Sequence, residues 1–380
     1  MGAIYTLPVN SSKEPLDWRE FLARPLLPEP PQRILDDLAD SPVMITGAGG
    51  SIGSALTIRL ARVGQPGLVL LDSSESNLVE LQQALAANQN AHHLAPVEAA
   101  LHLGDARDAD ALGELFSKHH PRVVFHAAAF KHVPFLEKHP LAAMANNILS
   151  TEAVACTAVE HGARVVLLST DKAVEPASVM GATKRVAEEI VLAGGGTVLR
   201  LGNVLGSSGS VSEVFARQIA NGEALTVTDA AARRYFLTLD ESVNLLLAAT
   251  ADPGRQAVLA PALEKQHSIA ELAGFMARTL APRRELPIRF TGPRPGDKRE
   301  ERLWSSSERA EPLAGGGLML VLAARPDPSR FTRHLAALRA ALRVSDLPAA
   351  LADLCALVPD FRPSQTVLSL AHPHRERECV

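Results

Sequence analysis

The chain has 380 residues, a formal net charge of −4, 47% hydrophobic and 21% charged residues. That apolar content offsets chain entropy and excludes disorder as the dominant state, and at roughly 150 residues per domain it allows two or three domains. There is no bulk basic field for nucleic acid or an anionic membrane, and 4% aromatics do not make a stacking platform for single strands. Three scattered cysteines, Cys156, Cys355 and Cys379, build neither a disulfide scaffold nor a zinc cluster, and fit a reducing cytosol.

Residues 1–40 read as an arm, with Pro25, Pro28, Pro30 and Pro31 and a short amphipathic stretch at Asp17–Leu22. From Pro42 the pattern alternates. Strands are expected at Val43–Thr46, Leu68–Asp72, Ala100–Gly104, Arg122–Ala128, Arg164–Ser169 and Thr197–Leu201. Between them lie helices at Ile52–Val63, Asn77–Ala86, Asp108–Lys118, Pro140–His161 and Val179–Leu192. Continuous apolar strands alternating with helices predict an α/β fold, a Rossmann-type doubly wound parallel sheet over 41–206. A return segment is expected near 235–260 and a smaller α/β substrate lobe over 207–310. Residues 311–380 predict a helical extension (Phe331–Leu342, Pro348–Leu357) and a polar tail, His372–Glu378, read as solvated and not as a metal site. No segment approaches the roughly 18 apolar residues of a membrane span, and the N-terminus lacks a secretory pattern. A cytoplasmic protein is expected.

Thr46-Gly47-Ala48-Gly49-Gly50-Ser51-Ile52-Gly53 lies between the first strand and the first helix, and Asp72 follows 19 residues after Gly53. This is the spacing of a dinucleotide fingerprint: Gly47 for the turn, Gly50 for approach of the pyrophosphate, Gly53 for close packing of helix on strand. The helix N-terminus then faces phosphate charge. Asp72 suits the adenosine ribose hydroxyls, and Ser73, Ser74 and Glu75 after it supply no arginine for a 2′-phosphate, which predicts NAD over NADP. Asp105, after the third strand, reads equally as an adenine clasp or as a plain strand-ending turn.

The strand at Arg164–Ser169 runs into Thr170-Asp171-Lys172, at the C-terminal end of a central strand, where doubly wound sheets bind ligands. Met180 and Lys184 are four apart and share a helical face. Short-chain dehydrogenases carry Tyr-x-x-x-Lys at this place, so Met180 replaces the tyrosine.

The segments TGAGGSIGS, FHAAAFKHVPFLE, NNILST, LSTDKAV, VMGATKR, RLGNVLGSSGSV, RRYFLT and GPRPGDK together resemble the extended short-chain dehydrogenase/reductase family, in its branch of CapD-type polysaccharide biosynthesis proteins, the UDP-N-acetylglucosamine 4,6-dehydratases. The resemblance runs from about residue 18 to about residue 363, and methionine at 180 is typical of the branch whose members carry N-terminal membrane helices; this chain resembles their catalytic half. It implies an NAD-dependent lyase acting on a UDP-N-acetylhexosamine and a homo-oligomer. It further implies Lys172 as the base at sugar C5 and Asp171 as the acid at the 6-hydroxyl. For such a reaction Thr170 is placed to hydrogen-bond the 4-hydroxyl, whose deprotonation, with no tyrosine, passes to Asp171 or to a water held by Thr170, and Lys184 is expected on the nicotinamide ribose. Ala127 and Ala128 join the cofactor set; Lys131, His132, Met180, Asn203, Arg234 and Arg294 face the UDP-sugar. The chain departs from the family at Ala55, at Asp297 and in Val258–Ser268. A 4-epimerase or reductase on the same fold, or a non-catalytic NAD-binding scaffold, are the competing expectations.

Overall fold

The computed structural model describes residues 16–39, 42–93, 97–251 and 256–372. Two short helices open it, α1 (Trp18–Leu22) and α2 (Gln32–Ala39). The alternating region follows as β1 (Val43–Thr46), α3 (Ser51–Arg62), β2 (Leu68–Asp72), α4 (Glu75–His92), β3 (Ala99–Leu103), α5 (Ala109–His119) and β4 (Val123–His126). Next come α6 (Val133–Leu136), α7 (Pro140–Met144), a π-helical turn at Ala145–Leu149 and α8 (Ser150–Glu160). Then come β5 (Arg164–Thr170), a 3₁₀ turn at Asp171–Ala173, α9 (Val179–Ala193) and β6 (Thr197–Leu201). The polar residues before the helices do the expected work: the side chains of Ser74, Asp108 and Ser178 each accept a backbone N–H in the first turn of α4, α5 and α9.

The remainder comprises β7 (Asn203–Val204), α10 (Val211–Asn221), β8 (Leu225–Val227), β9 (Arg233–Arg234), β10 (Phe236–Leu237), α11 (Leu239–Ala248), β11 (Val258–Pro261) and β12 (His267–Ser268). It closes with α12 (Ile269–Leu280), β13 (Ile288–Phe290), β14 (Arg309–Pro312), β15 (Leu318–Leu322), α13 (Pro328–Arg343), α14 (Leu347–Leu357) and α15 (Gln365–Ala371).

The main sheet has the order β14-β15-β11-β6-β5-β4-β1-β2-β3. Its strands from β11 to β3 are parallel and β14–β15 is an antiparallel hairpin on the edge. The strand order reverses between β1 and β4, and a crevice opens there at the C-terminal strand ends, the place such sheets reserve for ligands. Residues 235–260 return to this sheet through α11 and β11. A second core, with Phe215, Phe236, Phe275 and Met276, lies under α10, α12 and the parallel pair β8–β13.

Four expectations change. The described part of the arm is packed structure: Phe21 and Leu22 join the second core, and Ile34, Leu35 and Leu38 join the first. Its prolines hid this by breaking the helical period. Arg24 and the Leu27 N–H both engage buried Glu241 at the start of α11. The single helix expected over Pro140–His161 is α7, a π turn and α8, and the extra residue in the π turn turns Asn147 inward. The fourth strand stops at His126, so Ala127 and Ala128 belong to the loop beyond it. The region after residue 310 is not only helical: β15 lies antiparallel to β11, pairing Leu259 with Leu320. Residues 1–15 and the tail from 373 lie outside the described residues.

Candidate active site

One large cavity of 920 Å³ opens along the C-terminal ends of β1, β4, β5 and β6, and both halves of the molecule wall it. On the β1 side are Gly47, Gly50, Ser51, Ile52 and Gly53. Gly47 has φ +69°, and a Cβ there would lie 2.7 Å from Ala128 N. A Cβ on Gly53 would lie 2.2 Å from Gly47 O, so this helix reaches its strand only with glycine here. A Cβ on Gly50 would meet only Gly47 O, at 3.3 Å, and otherwise points into open cavity. Gly50 is therefore not required by the fold and leaves room for a ligand.

Asp72 is buried, with Oδ2 accepting Gly49 N–H and Oδ1 accepting Ser74 N–H, both at 2.9 Å. These bonds lock the carboxylate against the glycine loop and leave lone pairs for hydroxyl donors. Asp105 is different: Arg107 Nε binds both its oxygens, at 3.0 and 2.9 Å, on the surface. That pair holds its carboxyl below the usual range, the Arg107 hydrogen bond being the main cause. Thr46 Oγ1 bonds His126, and Ala127 lines the cavity.

The opposite wall is the end of β5 and its 3₁₀ turn. Thr170 Oγ1 donates to Asp171 Oδ1 at 3.0 Å. Lys172 Nζ donates to the same oxygen at 2.9 Å and to Asn203 Oδ1 at 3.1 Å. Thr170, Lys172 and Asn203 face the cavity; Asp171 is 0% exposed and lies behind them. The acid expected at the sugar's 6-hydroxyl thus reaches the cavity through Thr170 and Lys172. Burial alone would lower the Lys172 ammonium, but Asp171 and Glu301 outweigh it and hold it above its ordinary value. Lys184, 4% exposed, faces the same space and is pushed down to about 8 by burial, with Glu188 opposing. Among the described residues no protein group accepts a hydrogen bond from it. Met180, one turn before it, is buried in the wall.

The glycine cradle, the locked acid Asp72 and the unpaired buried cation Lys184 together fit a dinucleotide running from β2 to α9. Beneath the site, Glu188 accepts Ser169 Oγ at 2.6 Å and is clasped by fully buried Arg200. Arg200 also binds Glu308, tying the approach to β14 under the sheet. The second lobe closes the far side. Arg234 lines the cavity, but its guanidinium donates to the carbonyls of Arg233, Lys298 and Arg299. It holds that strap, a role that spacing alone did not reveal. Arg294 lines the mouth with Nε on Asp297 at 2.8 Å. Lys131 and His132 also line it; Lys131 Nζ donates to Ser208 O at 2.6 Å, and Ser208 N–H donates to Ser51 Oγ at 2.9 Å. Residues 206–210 thus bridge the glycine loop and the loop after β4. Sequence reasoning missed His126, Asn147 and Glu301, whose positions depend on the π turn and on long-range packing.

This arrangement, a parallel sheet with a glycine cradle at its switch point and a polar triplet facing Lys184, defines the extended short-chain dehydrogenase/reductase class. The chain belongs to the family described as "Polysaccharide biosynthesis protein", whose profile matches residues 43–321. It is 38% identical over 280 residues to the probable polysaccharide biosynthesis protein EpsC of Bacillus subtilis (strain 168), covering 70% of this chain and 45% of that protein. It is 35% identical over 312 residues to the capsular polysaccharide biosynthesis protein CapD of Staphylococcus aureus, covering 80% and 51%. The chain spans about half the length of these two relatives. A UDP-glucose 4-epimerase of Rickettsia rickettsii (strain Sheila Smith) is 34% identical over 72% of this chain and 80% of its own. Among solved structures, Pen from Bacillus thuringiensis superposes with a TM-score of 0.67 at 26% identity, over 76% of this chain and 89% of that one. DesIV, a dTDP-glucose 4,6-dehydratase from Streptomyces venezuelae solved with NAD and TYD bound, shares the fold at a TM-score of 0.59 and 20% identity, over 68% and 87%. No described helix is long and apolar enough to cross a membrane.

Proposed function

We propose that the chain is a nucleotide-sugar 4,6-dehydratase that uses NAD and acts on a UDP-N-acetylhexosamine, foremost UDP-N-acetylglucosamine, in polysaccharide or glycan biosynthesis, working in the cytoplasm as a homo-oligomer. The observation that carries the reading is the Thr170–Asp171–Lys172 cluster, joined by hydrogen bonds across the cavity from Lys184 and the glycine loop. A hydride relay at C4 alone has no use for a buried acid paired with a lysine; an elimination needs both. Relatives named for polysaccharide biosynthesis and a neighbour solved with NAD support the choice of substrate class and cofactor.

Bound NAD supplies a hydride acceptor for sugar C4 and a donor back to C6. The residues handle the protons. Thr170 Oγ1 takes the proton of the 4-hydroxyl while passing its own to Asp171, the acceptor it already faces. Neutralising Asp171 removes the main charge that holds Lys172 protonated; burial then favours the free amine, and the ammonium proton passes to water in the open cavity, to be taken back from it once turnover has ionised Asp171 again. Lys172 so released removes the C5 proton, made acidic by the new 4-ketone, and protonated Asp171 returns its proton, through Thr170, to the departing 6-hydroxyl. Lys184 holds the nicotinamide ribose, and Arg294, Lys131 and His132 face the sugar nucleotide, while Met180 packs against the nicotinamide. Glycine at 47, 50 and 53 and the carboxylate of Asp72 hold the other half of the dinucleotide.

The 34% identity to a UDP-glucose 4-epimerase favours 4-epimerisation as the second reading. Incubation of the pure protein with UDP-N-acetylglucosamine and UDP-glucose, followed by mass spectrometry, separates the readings. Loss of one water with a 4-keto product supports the dehydratase; an isomer of unchanged mass supports the epimerase; tight binding of both without conversion supports a scaffold and overturns both.

A further inference from the structure

Under the cavity floor runs a buried polar chain that neither the cofactor cradle nor the reacting groups account for. At its centre is His126, the last residue of β4, which is fully buried. Nδ1 lies 2.6 Å from Thr46 Oγ1, and Nε2 lies 3.0 Å from Thr151 Oγ1. Counting hydrogens gives the direction. Thr151 has one hydroxyl hydrogen and donates it to Asn147 O at 2.7 Å. Thr151 therefore accepts from His126, so Nε2 carries the imidazole proton and Nδ1 accepts from the Thr46 hydroxyl. A neutral ring satisfies both ends, and burial, aided by the nearby Lys184 charge, keeps it neutral, pushing it down to about 3.

The chain continues from Asn147. Its Nδ2 donates to Thr183 Oγ1 at 3.0 Å, and Thr183 donates to Met180 O at 2.8 Å. The same side chain brackets Phe130, accepting its N–H at 2.8 Å and donating to its carbonyl at 3.1 Å. Thr46, His126, Thr151, Asn147 and Thr183 are each at most 1% exposed. The backbone pairing of β1 with β4 already joins Thr46 to His126 without these side chains. The network links three elements that each supply a cavity wall: the root of the glycine loop, the loop after β4, and the turn of α9 that carries Met180 and Lys184. Apolar packing can hold such elements together, but directional bonds set their rotation and register.

We propose that His126 is a positioning residue: through Thr46 on one side and Thr151–Asn147–Thr183 on the other, it sets the glycine loop against Lys184 and the Phe130 loop. The effect is read on the NAD reading above, but the tautomer and the cofactor affinity are measured without sugar turnover, so the two fail separately. The test uses the full chain. In ¹⁵N-histidine NMR, one of the 13 histidines is expected to stay neutral and Nε2-protonated from about pH 5 to about pH 8, and to shift in Thr151→Ser. Thr151→Val and Thr46→Val are expected to weaken NAD binding about tenfold each with secondary structure unchanged, since each leaves a buried imidazole nitrogen unpaired. Thr151→Ser, which keeps the hydroxyl, is expected to restore wild-type affinity. A His126 that titrates near the ordinary histidine value, or that is protonated at Nδ1, overturns the proposal. So do valine variants with wild-type NAD affinity. Two valine variants that both fail to fold beside a fully active Thr151→Ser would assign the network to folding and equally overturn it.

Discussion

Asp171 receives Lys172 Nζ at 2.9 Å on Oδ1, the same oxygen that receives Thr170, and its other oxygen is buried without a hydrogen-bond partner among the described residues. One oxygen thus collects both groups of the proposed elimination, and a proton arriving on Asp171 is felt directly by Lys172.

That coupling predicts the two variants most damaging to chemistry. Lys172→Met and Asp171→Asn are each expected to lower elimination by at least about a hundredfold, the usual scale of acid–base catalysis, while NAD remains bound. The C5 proton is exchanged through Lys172, so wild-type turnover in heavy water should leave deuterium at C5. A product without deuterium there would contradict a lysine base.

Met180→Leu should retain most of its turnover. The thioether cannot act as acid or base, and the swap conserves volume in a packed wall, at a cost usually under about 1.5 kcal/mol. A loss of a hundredfold with folding and NAD content unchanged would show that position 180 shapes the approach of the sugar.

Two glycines of the cradle should separate fold from ligand. Gly53→Ala places a Cβ 2.2 Å from Gly47 O and is expected to lower the melting temperature and abolish cofactor retention together. Gly50→Ala meets only one atom, at 3.3 Å, and should keep the melting temperature while losing NAD, because the methyl occupies the space for the pyrophosphate. Denaturing the wild-type protein should release NAD and not NADP; NADP would refute the role of Asp72.

Glu188 carries a pH signature. Burial would raise its carboxyl, but the charge and hydrogen bonds of Arg200, then Arg185 and Ser169, outweigh it and hold it at about 2, against an ordinary 4.5. A carboxyl depressed on folding contributes stability that is fully present above its unfolded value and is lost as pH falls through the folded one. Glu188→Gln, which leaves the buried Arg200 charge with Glu308 as its remaining carboxylate, should cost about 2–3 kcal/mol at neutral pH. Thermal melts at several pH values check this: the gap between wild type and variant should close between pH 4.5 and about 2. A gap that stays constant over that range would assign the effect to packing alone.

The sequence by itself carried the alternating strands, the glycine cradle with Asp72 and the placing of Thr170–Lys172 at a strand end, because these depend on local period and short spacing. It also carried the family, through motifs spread along the chain. It did not carry the π turn that swings Asn147 inward, since one extra residue in a helix leaves the apolar pattern nearly unchanged. Nor did it show that α1 and α2 are packed, that β14 and β15 extend the sheet, or that Arg234 is bound to the carbonyls of residues 298 and 299. Those contacts join residues far apart in the chain, and their partners are chosen by the burial of facing surfaces. The same holds for Asp171: its position after a strand was legible, but its complete burial behind Thr170 and Lys172 was decided by the tertiary fold, which alone determines how much water reaches a carboxylate.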